Sequence, residues 1–157
     1  MQAARKRTVT DQVATTHHLV RGRAAKRGGQ ELEAGLGPTL VVLSEDDSVL
    51  AIVGEADFRN WRVEGHGASP DGRDLLTLPN IRLVIFDDEK VELSDRGWML
   101  AQIRRCAPQA AILYIARDHD WDTERLARTG GAQYYCSKPI DRAVFAEVVN
   151  SFLRSIK

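Results

Sequence analysis

Four short apolar runs leave this chain few folds to choose from: Thr39-Leu40-Val41-Val42-Leu43, residues 81–86, residues 110–115 and Tyr134–Ser137. They are continuous rather than alternating and too short for ordinary helices, and the first two are rich in β-branched residues. That pattern predicts strands covered on both faces. A weaker extended piece lies at Trp61-Arg62-Val63. Between the runs the spacing turns helical. Val49, Leu50, Ile52 and Val53 follow the first, and Trp98, Leu100 and Ile103 follow the run at 81–86. Residues 122–129 form a third such segment, stopped by Gly130-Gly131. Asp141 opens the last, with Val144, Phe145, Val148, Val149 and Phe152 on one face. Counting a poorly periodic stretch that ends near Leu76, five strands alternate with five helical segments. This predicts an α/β domain: a five-stranded parallel sheet, doubly wound, with helices on both faces.

Right-handed crossovers would put every strand's carboxyl end on one edge, where open α/β sheets place their sites. The groups gathered there are Ser44-Glu45-Asp46, Asp87-Asp88-Glu89, Ile115-Ala116 and Lys138-Pro139. A carboxylate at the end of one buried strand and a lysine at the end of another are what an aspartyl-phosphate site needs. A carboxylate attacks a phosphoanion poorly unless charge is neutralised, so an ammonium and a divalent cation must share that task. Mg²⁺ prefers hard oxygens, which Glu45, Asp87 and Asp46 could supply. Asp46 and Asp47 also precede a helix, and could equally cap it. Glu89, two residues after Asp87, could face the same pocket, and Asp88 adds a further acid beside it.

The pairing of Asp87 with Lys138-Pro139, set on this alternation, resembles the receiver domain of bacterial two-component response regulators over residues 38–157. The resemblance implies a flavodoxin-like sheet, Asp87 as phosphoacceptor, Lys138 as the residue that neutralises the phosphoryl group, and Tyr135 as the switch aromatic. It places Glu45 at the second acidic metal position and Ser44 where the first acid would stand. It also places Ile115 where a Ser or Thr would bond the phosphoryl oxygen. A branched hydrocarbon cannot donate that bond, so Ile115 puts the switch in doubt more than the acceptor. The set reads as an atypical receiver or pseudo-receiver. The implied partners are a histidine kinase or phosphotransfer protein, or a constitutive protein partner. The fourth helix, fifth strand and fifth helix would form the face for partners or a homodimer.

The charge balance is zero overall but uneven. Residues 1–30 carry Arg5, Lys6, Arg7, Arg21, Arg23, Lys26 and Arg27 against the single acid Asp11. Residues 1–37 lack a sustained apolar stripe and are broken by Arg27-Gly28-Gly29 and Gly35-Leu36-Gly37-Pro38, so they read as a basic arm. Such an arm could contact nucleic-acid phosphates, but no aromatic residue interleaves its bases, and binding would be weak and salt-sensitive. It could equally dock on an acidic protein surface. His17 and His18 lack companions at metal-ligand spacing and are expected to be solvated. No run of eighteen apolar residues exists and no apolar core follows the basic cluster, so a cytoplasmic protein without a membrane span is expected. No Gly-rich phosphate loop, nucleophile elbow or metal-ligand motif points to a conventional enzyme; at most the chain would take a phosphoryl group onto itself and lose it slowly. Cys106 and Cys136 have neither redox nor metal spacing and are expected as buried small hydrophobes. Trp121, between Asp120 and Asp122, could be a partner-facing aromatic or could cover the start of a helix, and the second is expected.

Overall fold

The computed structural model describes residues 37–66 and 70–156. Apart from Gly37, the segment expected as an arm lies outside them, as do His17 and His18. The described chain runs β1 (Thr39–Leu43), α1 (Asp47–Gly54), β2 (Arg62–His66), a 3-10 helix (Pro70–Thr77), β3 (Ile81–Asp87), α2 (Leu93–Cys106), β4 (Ala111–Ala116), α3 (Trp121–Thr129), β5 (Tyr134–Ser137) and α4 (Arg142–Ser155). All strand pairings are parallel, in the order β2-β1-β3-β4-β5.

The apolar runs are strands because the sheet is covered twice. Leu40, Val42, Leu83, Ile85, Leu113 and Ile115 face α1 and α4, where Val49, Ile52, Phe145, Val149 and Leu153 close over them. Val41, Leu43, Val84, Phe86, Ile112 and Tyr114 face the other way, against Met99, Leu100 and Ile103 of α2 and Ala127 of α3. Burying each large apolar side chain is worth roughly 2 kcal/mol, so both layers contribute to holding the central strands. The edge strand β5 is half-covered along its whole length.

Three sequence expectations need correction. The helical segment between β2 and β3 is a 3-10 helix; Pro70 and Gly72 suit a tight turn better than an α-helix. Val144 is exposed, because the buried stripe of α4 runs through Phe145, Val149 and Leu153. Cys106 is exposed, since it ends α2 on the solvent side, while Cys136 is half-buried.

The strand order creates the site. From β1 the chain goes outward to β2 and then returns to the other side of β1 as β3, so a crevice opens between the carboxyl ends of β1 and β3. Leu43 pairs with Phe86, which sets Ser44 beside Asp87, and Asp87 pairs with Ile115.

Candidate functional site

Asp87 is the last residue of β3 and only 2% exposed. Its Oδ2 accepts hydrogen bonds from Ser44 Oγ at 2.7 Å and Lys138 Nζ at 3.0 Å, and its Oδ1 accepts from the Glu89 backbone N–H at 3.0 Å. A buried carboxylate is tolerable only with such partners. Ser44, itself buried, thus contributes a donor where the sequence suggested only a missing charge. Its Oγ also accepts from the Asp46 N–H at 3.1 Å, fixing the turn into α1.

Lys138 is the hub. The Lys138 N–H bonds to the Ala116 carbonyl at 3.0 Å, which anchors the residue beyond β5, and the Lys138-Pro139 peptide is cis. Its ammonium lies 2.6 Å from Asp46 and 3.0 Å from Asp87, and also bonds Glu89. Burial works to lower the Lys138 pKa, but the hydrogen bonds to Asp46, Glu89 and Asp87 outweigh it and raise it. Asp46 has two tasks. One oxygen caps α1 by accepting from the Ser48 N–H at 2.8 Å, and the other meets Lys138. The hydrogen bonds from Lys138 and then Ser48 pull its carboxyl from 3.8 to about 2. A group whose folded pKa is depressed stabilises above its unfolded value and loses that contribution as pH falls through the folded one. Wild type should therefore exceed Asp46→Asn, which retains a capping oxygen, by on the order of 1 kcal/mol at pH 7. The two should converge between about pH 4 and pH 2, as read by urea midpoints across pH.

Asp46, Asp87 and Glu89 each present a carboxylate oxygen, all within 4.8 Å of one another. These hard oxygens fit a small divalent cation. Glu45 stands outside this group. It is exposed, because Ser44 takes the inward position at the end of β1 and its neighbour turns to solvent. Glu89 fills the third place. Pro139 is exposed, and Ala116 is buried in the layer that faces α2 and α3.

Asp88 belongs elsewhere. Side chains of a strand alternate, so Asp88 follows Phe86 to the opposite face of the sheet from Asp87. It is fully buried there, accepting from the Tyr114 hydroxyl at 2.7 Å and the Arg117 N–H at 2.7 Å, with Arg96 at 3.1 Å. Burial first, and then the bond to Asp88, raise the Tyr114 pKa. Sequence reasoning missed Tyr114 and Arg96. The two-residue spacing of Phe86 and Asp88 was the available signal.

Ile115 is fully buried and packs toward α1 and α4, whereas Tyr135 packs toward α2 and α3. Tyr135 stacks on Tyr114 with ring centroids 5.8 Å apart. Trp121 does not cover the start of α3; it is 77% exposed, edge-on to His119 at 5.3 Å.

With this geometry in hand, comparison with solved structures is decisive for the fold. A receiver domain of Methanospirillum hungatei superposes with a TM-score of 0.62 at 16% identity, covering 76% of this chain and 95% of that one. A response regulator of Thermotoga maritima gives 0.62 at 21% identity, covering 76% and 99%. The chain has the receiver fold. A pilus assembly-related protein of Burkholderia pseudomallei shares it, with a TM-score of 0.57 at 18% identity over 82% of this chain and 98% of the other. No protein-family model matches the sequence. A DNA topoisomerase 1 of Treponema pallidum is 30% identical over 88 residues, 52% of this chain, and the match spans only 12% of that relative's length. Among the described residues, no helix of this receiver fold is long and apolar enough to cross a membrane.

Proposed function

We propose that the chain is a receiver-like signalling module that acts through protein–protein contact, with Asp87 as a phosphoacceptor weakly coupled to output. The observation that carries this reading is the gathering of Asp46, Asp87 and Glu89 around the Lys138 ammonium at the carboxyl edge of the sheet. An oxygen of Asp87 would attack phosphorus and displace the donor's leaving group, forming an acyl phosphate. Lys138 would then neutralise the new charge, and Ser44 would orient the carboxylate. Asp46, Asp87 and Glu89 would hold Mg²⁺, which supplies charge neutralisation at the phosphoryl oxygens.

The weak coupling rests on Ile115, whose hydrocarbon side chain is buried in the layer opposite Tyr135 and can donate no hydrogen bond. That observation equally favours a second reading, a phosphorylation-independent scaffold. The structural neighbours include response regulators and a pilus assembly-related protein, so partners must be argued from surfaces rather than from the fold. A histidine kinase or phosphotransfer protein would be the phosphate source. A surface built from α3, β5 and α4 would serve a partner or a second copy.

Intact mass after incubation with Mg²⁺ and a small-molecule phosphodonor separates the readings. One phosphoryl adduct on wild type and none on Asp87→Asn is the expected result. An unmodified wild type would sink the phosphoacceptor assignment and leave the scaffold.

A further inference from the structure

We infer that β2 is a self-pairing edge, through which two copies of this chain join their sheets in an antiparallel ladder centred on Val63. Nothing at Asp87 bears on this edge: β2 lies two strands away from β3 and at the opposite end of the sheet from β5.

Among the described residues β2 has a neighbour on one side only. The Arg62 N–H is given to the Pro38 carbonyl, so the backbone groups of Arg62 and Glu64 turn toward β1. Successive residues of a strand turn these groups to opposite edges, which leaves the N–H and C=O of Val63 and Gly65 facing outward. Such a row is a ready template for another strand. Edges are commonly blunted by proline, by a bulge or by charge. β2 carries no proline, and its register against β1 is unbroken. The charges it carries, Arg62 and Glu64, are of both signs.

Those charges choose the partner. A two-fold axis relating two copies of one edge makes the strands antiparallel, and centring it on Val63 sets Arg62 of each copy opposite Glu64 of the other. Centring it on Arg62 or on Glu64 instead would set like charges face to face, which is destabilising. Within its own strand Arg62 lies 3.0 Å from Glu64, but both are partly exposed, so that ion pair contributes little and is readily exchanged for the cross-strand ones.

The other face of the strand agrees with the same register. Val63 would lie against Val63 of the second copy, and Trp61 against its Gly65. Gly65 is exposed, and a Cβ placed there would meet Leu50 and Val42 only at ordinary contact distances, so the packing of a single chain does not require glycine. Close approach of a second backbone is a common reason for glycine inside a strand, and an aromatic ring laid across an edge glycine supplies the cover that its missing side chain withholds. Leu50, Phe58, Trp61 and Val63 are only half-buried on this side, and the ladder would cover them further. The hydrogen bonds match as well. Each Val63 N–H would meet the Val63 carbonyl of the second copy, and each Gly65 N–H its Trp61 carbonyl, while the Trp61 N–H is already held by Phe58. The ladder is short, so the dimer is a weak one.

Sedimentation velocity on the full chain, from micromolar to millimolar protein, decides the matter. Wild type should dimerise. Arg62→Glu sets acid against acid twice across the axis and Glu64→Arg sets base against base, so each should weaken the dimer by about tenfold or more. Mixing the two variants should restore it as a heterodimer, because every cross-strand pair is then of opposite sign although the ion pair within each strand is still broken. A wild type that stays monomeric at millimolar concentration would overturn the pairing. So would a dimer that both reversals leave intact, or reversals that weaken it without restoration on mixing. Amide exchange of wild type gives a readout that needs no variant: the Val63 and Gly65 N–H groups should exchange more slowly as concentration rises, and unchanged exchange in a dimer would place the contact elsewhere.

Discussion

Lys138→Met should lower the stability of the domain by about 3 kcal/mol at pH 7, since removing one partner of a buried ion pair strands the other charge. The loss is concentrated at Asp87, 2% exposed, which would keep Ser44 and the Glu89 N–H but no positive charge. Asp46 and Glu89 would remain nearby as like charges. Millimolar MgCl₂ should therefore restore part of the loss in the variant and do much less for wild type, whose ammonium already serves the three carboxylates. Urea unfolding with and without Mg²⁺ measures both effects. A variant as stable as wild type in the absence of metal would mean that Lys138 is not the group that makes Asp87 tolerable.

The second large effect is expected on the other face of β3. Asp88→Ala should cost about 3–4 kcal/mol, because it leaves the Arg96 guanidinium, 11% exposed, without its carboxylate and the buried Tyr114 hydroxyl without an acceptor. Asp88→Asn keeps an acceptor oxygen for Tyr114 or for the Arg117 N–H and should cost roughly half as much. The comparison is direct by urea unfolding. Equal losses for alanine and asparagine would indicate that packing, rather than the three donors, sets the value of this position.

The strands were legible because a continuous apolar run has one plausible home, a sheet covered on both sides. The carboxyl-edge groups followed from topology once the strands were placed. Glu45 and Glu89 exchanged places for a reason that lies below sequence resolution. Both are glutamates two residues past the end of a strand, and the local turn after each strand leaves Glu45 exposed and brings Glu89 to Lys138. Asp88 was grouped with Asp87 because they are neighbours in sequence, although strand alternation separates neighbours. Tyr114 looked like plain core, and its tie to Asp88 depends on where α2 brings Arg96. Val144 and Val148 looked as apolar as Phe145, but the path of α4 buries the 145-149-153 stripe.

The adjacent carboxylates of β3 also bear on how the sheet assembles. A strand of uniformly apolar residues is a poor guide to its own alignment, since Leu83, Val84 and Ile85 could each be accommodated by either layer. Asp87 and Asp88 remove that ambiguity. Sliding β3 one residue forward would put Phe86 in the place of Asp87, against Lys138, and sliding it one residue back would put Asp87 in the place of Phe86, against the ring of Tyr114. The end of the strand thus carries an address in charge that its interior does not carry in shape, and misaligned intermediates are penalised as soon as α2 and β5 arrive to read it.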